Sequence, residues 1–164
     1  MLSKFLQGLM FVNQFTIDNG QVDILGNKQL LLPVQIIELL NDKKAYDFIK
    51  QTVKIGMDEE IRKIGSTTPL QRFNNLKDLM NTFGIGNIDV TFIDSKKQKA
   101  MIQINNSTIA NYYISQRKKT TVPVCVITKA VLAGAFSSFF GKDVDSEETK
   151  CMSLGENYCQ FSIK

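Results

Sequence analysis

Residues 87–105, NIDVTFIDSKKQKAMIQIN, decide how this chain folds. Ile88, Val90 and Phe92 alternate with Asp89 and Thr91, and the same two-residue period returns at 99–105 beyond the polar run Ser95 to Gln98. Side chains alternate sides along a strand, so each segment carries an apolar face that must meet apolar material. An antiparallel pair covered by helices meets that requirement.

Toward the N-terminus the period lengthens. PVQIIELL (33–40) and KAYDFIKQTVKIGMDEEIRKIG (44–65) read as helices, the second carrying Phe48, Ile49, Val53, Ile55, Ile61 and Ile64 near helical spacing before Gly65. STTPLQRFNNLKDLMNTFGIG (66–86) repeats the pattern, with a threonine cap, Pro69 in the first turn, and Leu70, Phe73, Leu76, Leu79, Met80 and Phe83 ahead of the glycines. Residues 1–10 form a short helix. QFTIDNGQVDIL (14–25) alternates around Asn19-Gly20, a pair suited to the positive φ of a two-residue hairpin turn.

Toward the C-terminus, STIANYYISQRKK (107–119) is a helix capped by Ser107. TTVPVCVITKAVLAGAFSSFFG (120–141) is a longer one with a threonine cap, an early Pro123 and a terminal Gly141. KDVDSEETKCMSL and NYCQFSIK then read as a hairpin about Gly155-Glu156. The sum is an α+β fold, one domain over 1–164, with helices on one side of a twisted antiparallel sheet.

Composition narrows the function classes. With 164 residues and 43% hydrophobic content the chain can bury a core without disulfide or metal support. The net charge of +4 is mild, and the basic runs Lys96-Lys97-Gln98-Lys99 and Arg117-Lys118-Lys119 lack a recognition helix or aromatic platform, so both read as solvated turns with no direct nucleic-acid role. The apolar stretch Val122 to Phe140 is interrupted by Thr128, Lys129, Ser137 and Ser138 and falls short of a membrane span. The N-terminal MLSKFLQGLMFV has no small-residue cleavage site, which points to the cytoplasm.

Three cysteines and no histidine remain to be explained. If the last hairpin turns at Gly155, Cys151 and Cys159 face each other across it, an arrangement that suits a metal, a disulfide or plain core packing. Cys125 falls in the first turn of its predicted helix, where the dipole favours a thiolate. Three sulfurs leave a tetrahedral zinc one ligand short, and the fourth must then be a carboxylate or water. Strict alternation puts Glu147 on the cysteine face and Glu148 on the other, and a bulge reverses them.

These residues carry a resemblance. Pro123-Val124-Cys125, the small-residue helix VLAGAFSSFFGKDV, Glu148-x-x-Cys151, Gly155 and YCQF with Cys159 resemble the 4-vinyl-reductase domain, across roughly residues 103–164. The family includes archaeal stand-alone proteins and aromatic-sensing bacterial activators, and is similar in fold to TRAPP tethering subunits and haem-based nitric-oxide sensors. The resemblance implies a structural zinc held by Cys125, Glu148, Cys151 and Cys159, and so an irregular strand at Glu148. Four protein ligands close a zinc site, so no catalytic role is expected of it.

The resemblance also implies an apolar cavity between helices and sheet. Phe73, Met80, Phe83, Tyr112, Tyr113, Gly134 and Phe136 are its candidate lining, with a tyrosine hydroxyl as the polar handle. Ala130, Ala133, Gly134 and Ser137 form a small-residue face that ordinary helix packing also explains. Haem would need an axial histidine, and aromatic-sensing members use histidine and tryptophan. This chain has neither residue, which turns the expectation toward a longer hydrocarbon, fatty acid or isoprenoid.

The leading expectation is a hydrophobic-ligand sensor module, a homodimer that passes its state to a separate signalling partner. The family name raises a tetrapyrrole vinyl reductase, but no dinucleotide, phosphate or flavin motif accompanies GIG at 84–86. A dimeric assembly subunit is the third reading, with Leu2, Phe5, Leu6, Leu9 and Met10 as the N-terminal contact stripe.

Overall fold

The alternation at 87–105 becomes β4 (Asn87–Asp94) and β5 (Lys99–Asn105), paired antiparallel from Asn87↔Asn105 to Asp94↔Lys99. The computed structural model describes residues 3–19, 21–30, 32–40, 42–64, 68–117 and 120–164, and their side chains apart from those of 27, 60, 61, 63, 64, 69, 70, 72 and 73. Leu2, Gly20, Gly65, Lys118 and Lys119 therefore lie outside the described residues, as do the side chains of Ile61, Ile64, Leu70 and Phe73. None of the described helices is long and apolar enough to cross a membrane.

The chain divides into two compact units, Met1–Pro33 and Val34–Lys164. In the first, Ser3 accepts the Leu6 N–H and starts α1 (Lys4–Phe11), of which Leu9 is buried and Met10 exposed. A meander follows: β1 (Phe15–Asp18), β2 (Gln21–Ile24) and β3 (Asn27–Gln29). Asp18 pairs with Gln21, so the hairpin expected about Asn19 forms, with Asn19 at φ 46°. The third strand was not legible as one, since Asn27–Gln29 is too short to show a period.

In the second unit, PVQIIELL forms a 3-10 helix (Val34–Leu39) rather than an α-helix. Next come α2 (Lys43–Ile64) and α3 (Pro69–Thr82), the latter opened by a full capping box in which Thr68 and Gln71 bond each other's backbone N–H groups. After β4 and β5 the chain runs through α4 (Thr108–Ser115), α5 (Val126–Phe140), β6 (Ser146–Lys150), a 3-10 turn (Met152–Leu154) and β7 (Cys159–Ile163).

The sheet order β4-β5-β7-β6 places the C-terminal strand at its centre. Its inner face carries Ile88, Ala100, Ile102, Ile104, Cys159, Phe161 and Ile163, all buried, whereas Met101, Gln103, Gln160 and Ser162 on the outer face are half-buried. Helices thus cover one side, as the alternation requires. On that side α5 packs against β6 and β7 and is covered by α2 and α3, which is why it is apolar around most of its circumference.

The α2–α5 crossing depends on one residue. A Cβ on Gly134 would stand 3.0 Å from Val53 Cβ and 3.1 Å from the Lys54 nitrogen, and closer still to the Lys50 carbonyl. Only glycine lets the two backbones come this near. Polar ties complete the contact: Ser138 Oγ donates to Asp58, and buried Lys50 donates to Asp145 (2.8 Å) and Asp143 (3.2 Å) in the α5–β6 connection and start of the hairpin. Tyr46 O–H joins Asp145 at 3.0 Å. The resulting burial differs from the expected apolar stripe, because Lys50 and Met57 turn inward while Phe48 and Ile55 are 71% and 61% exposed.

Candidate metal centre and its surroundings

Cys125 does not lie in the first turn of α5. The helix begins at Val126, and Cys125 is its N-cap, with φ −85° and ψ 47° and no side-chain capping bond. Thr120 and Thr121 stay outside the helix despite their capping character. The reason is tertiary: Glu148 Oε2 accepts the Cys125 N–H at 3.0 Å, so a carboxylate from β6 takes the place a local cap would fill.

The last hairpin supplies the other groups. Glu147 pairs with Ser162, Glu148 with Phe161 and Lys150 with Gln160, so Thr149 is an extra residue on its strand. This bulge keeps Glu148 on the inner face with Phe161 and brings Cys151 inward as well. Glu147 points outward and bonds Lys164. Strict alternation is corrected here, and the bulge that the resemblance implied is present.

One ligand atom each from Cys125, Glu148, Cys151 and Cys159 lies within 4.8 Å of all the others. The three cysteines are fully buried and unpaired as disulfides. The sulfurs of Cys125 and Cys159 are 3.8 Å apart. A tetrahedral ion with bonds of about 2.3 Å to sulfur requires an edge of about 3.8 Å. Glu148 Oε1 is buried and, among the described residues, has no hydrogen-bond partner. A buried carboxylate oxygen left unpaired is costly, and a cation at the centre of the three sulfurs satisfies it. The group can hold a metal ion.

Electrostatics agree with that donor set. Burial, with the Cys151 thiol beside it, pushes the Glu148 carboxyl up to about 8. Hydrogen bonding to the Cys151 and Cys159 sulfurs raises the Cys125 thiol, and burial raises it further. Cys151 is lowered, chiefly by its bond with Cys125. Cys159 is drawn down by Cys125, but Cys151 and burial outweigh this and leave it at about 12. With no cation among them the four groups share little more than one negative charge, centred on Cys151. A divalent ion ionises all four.

Each sulfur also has a donor or hydroxyl beside it. Ser107 Oγ stands 3.6 Å from Cys125 Sγ, Ser153 Oγ 3.2 Å from Cys151 Sγ, and the Met152 N–H donates to Cys159 Sγ at 3.4 Å. Thr120 O–H in turn donates to Ser153 Oγ at 3.0 Å. Ser107 is readable from sequence as a cap. Its contact with a cysteine 18 positions away is visible only in the fold.

The residues expected to line a cavity are distributed over three helices. Met80 on α3 and Phe136 on α5 are fully buried, Phe136 within a cluster with Phe139 and Phe140, and Phe83 after α3 is 39% exposed. Gly134 is occupied by the α2 backbone, the helix-packing alternative for the small-residue face. Tyr112 and Tyr113 on α4 are half-buried and meet edge to face at 5.6 Å, and Tyr112 O–H donates to Glu38 Oε1 at 2.7 Å. Phe73 falls among the side chains outside the description.

These features define a class: an α+β protein whose buried central helix meets its C-terminal hairpin at a cluster of three cysteines and a glutamate able to hold a metal. Residues 105–164 match the model of the 4-vinyl-reductase domain, and the chain belongs to that family. An uncharacterized protein of Methanocaldococcus jannaschii is 23% identical over 140 residues, 84% of this chain and 71% of that protein. The phenol-responsive sensory domain of the transcription activator PoxR, crystallised with phenol, superposes with a TM-score of 0.75 at 14% identity, over 100% of this chain and 91% of that one. A vinyl-4-reductase family protein from Methanocaldococcus jannaschii gives 0.55 at 17% identity, over 83% of each chain. The fold is shared across all of this length.

Proposed function

We propose that this protein is a cytoplasmic sensor module for an apolar small molecule, stabilised by a zinc ion on Cys125, Glu148, Cys151 and Cys159. The observation that carries the metal half is the unpaired, buried Glu148 Oε1 facing three sulfurs. Three thiolates and one carboxylate with no histidine suit zinc in preference to hard cations, which favour all-oxygen sites. Four protein ligands leave no position for an activated water, so the ion's role is to hold the start of α5 to the last hairpin.

The ligand half is supported by the 4-vinyl-reductase domain and by the likeness of the whole chain to a domain that responds to phenol. On this reading Tyr112 and Tyr113 offer the polar handle, and Met80, Phe83 and Phe136 the apolar surroundings. A chain without histidine or tryptophan suits a longer hydrocarbon, fatty acid or isoprenoid better than a phenol. The module acts as a homodimer and as a binding protein, not an enzyme, and its output passes through a separate partner.

The experiment is native mass spectrometry with elemental analysis on protein purified under reducing conditions without chelator, followed by organic extraction. One zinc per chain together with a co-purifying apolar molecule supports both halves. Zinc without such a molecule, and no retention of added fatty acid or isoprenoid, leaves a structural metal and overturns the sensor reading.

A further inference from the structure

The hydroxyl of Ser107 belongs to two structures at once. Ser107 is fully buried and is the N-cap of α4, where its Oγ accepts the Ala110 N–H at 3.4 Å. The same Oγ stands 3.6 Å from Cys125 Sγ. A serine hydroxyl has one proton to give and two lone pairs to receive with. The Ala110 N–H takes a lone pair, which leaves the proton for the sulfur. A metal-bound thiolate can only accept, so with the ion in place the direction of this bond is fixed: Ser107 O–H donates to Cys125.

Resting on the metal reading above, we propose that Ser107 is a positioning residue that couples the metal centre to α4. The metal orders the Cys125 sulfur, the sulfur orders the Ser107 hydroxyl, and the hydroxyl closes the first turn of α4. By linkage, whatever displaces α4 weakens the hold on the metal by the same factor by which the metal steadies α4. The helix has a grip at each end of its exposed side for such a displacement to act on. Thr108, next to the cap, bonds the Gly84 and Ile85 carbonyls of the α3–β4 connection through its Oγ1 and N–H, and Tyr112, one turn on, bonds Glu38. A molecule engaging Tyr112 therefore acts on the same rigid element that touches the metal's first cysteine.

The test uses the full chain with zinc and with cobalt as the spectroscopic substitute. Ser107→Gly removes the hydroxyl but keeps a residue tolerated at N-caps, and Ser107→Ala removes both hydroxyl and cap. Donors that orient metal ligands typically contribute about 10–100-fold in affinity. Both variants are expected to keep one zinc per chain, bind it about 10–100-fold more weakly in competition with a chromophoric chelator, and shift the sulfur-to-cobalt charge-transfer band. In the wild type, zinc is expected to slow amide exchange at Ala110 and Asn111. A role confined to capping predicts instead that Ser107→Ala loses stability, Ser107→Gly does not, and neither alters the cobalt band. That result, or α4 amide exchange indifferent to zinc in the wild type, overturns the coupling while leaving the metal reading intact. A wild type that takes up no zinc overturns the metal reading itself and the coupling with it.

Discussion

Glu148 reaches across 23 positions of sequence to accept the backbone N–H of Cys125 at 3.0 Å. One carboxylate oxygen thereby fixes the start of α5 while the other is left facing the three sulfurs. Its neighbour Glu147, on the outer face, bonds Lys164 instead.

The two glutamates should accordingly separate in a metal assay. Glu148→Gln is expected to lose zinc or bind it at least tenfold more weakly, because an amide oxygen carries no charge to offset the ion. Glu147→Gln is expected to keep one zinc per chain. Elemental analysis after gel filtration distinguishes them. Equal metal content in both would remove Glu148 from the ligand set.

Removing the ion should cost stability where the cluster ties elements together. Cys125→Ser, or a strong chelator on the wild type, is expected to lower the thermal midpoint by about 10 °C or more, the equivalent of roughly 3 kcal/mol for a chain of this size. Hydrogen exchange should rise first at the N-terminal turn of α5 and in the 3-10 turn Met152–Leu154. Calorimetry with and without chelator reads the first effect.

Gly134→Ala tests the α2–α5 crossing. Alanine is about 1 kcal/mol better than glycine within a helix, but here its Cβ meets the Lys50 carbonyl, Val53 and Lys54 backbone. Overpacking of this kind costs about 1–3 kcal/mol, so a net loss is expected in urea unfolding. A gain would show that α2 can move away freely.

Lys50 and Asp145 set a pH dependence. The hydrogen bond from Lys50 holds Asp145 below the usual carboxylate range, with burial opposing, so its folded pKa lies below its unfolded one. That contribution is full above the ordinary carboxylate value of about 4 and is lost as pH falls through the lowered folded value. Lys50 itself is drawn down by burial, but its bonds to Asp145 and Asp143 prevail and raise it, so its share persists until strongly alkaline pH. Asp145→Asn should flatten the acid limb of stability below about pH 4. Because both aspartates are mostly exposed, the loss at neutral pH should be only about 1 kcal/mol.

The elements most legible in the sequence were those with local causes. β4 and β5 match the alternating segments 87–94 and 99–105, α3 opens on its Thr68 capping box, and Gly141 in the left-handed region ends α5. Less legible were the elements set from a distance. Periodicity marked Phe48 and Ile55 as core, but the face of α2 that turns inward is chosen by its fit over Gly134 and by the aspartates that receive Lys50.

The metal-site residues show the same division. Their identities lie in the chain: three cysteines, a glutamate, and serine as a helix cap. Which glutamate faces inward depended on one bulged residue, Thr149, because a single insertion reverses the side of every residue beyond it. Where α5 begins depended on a carboxylate from another strand. Composition, period and capping act between near neighbours and are written in sequence order. Helix-to-helix approach, strand register and the meeting of Ser107 with Cys125 are distances between remote residues, and only the packed chain decides them.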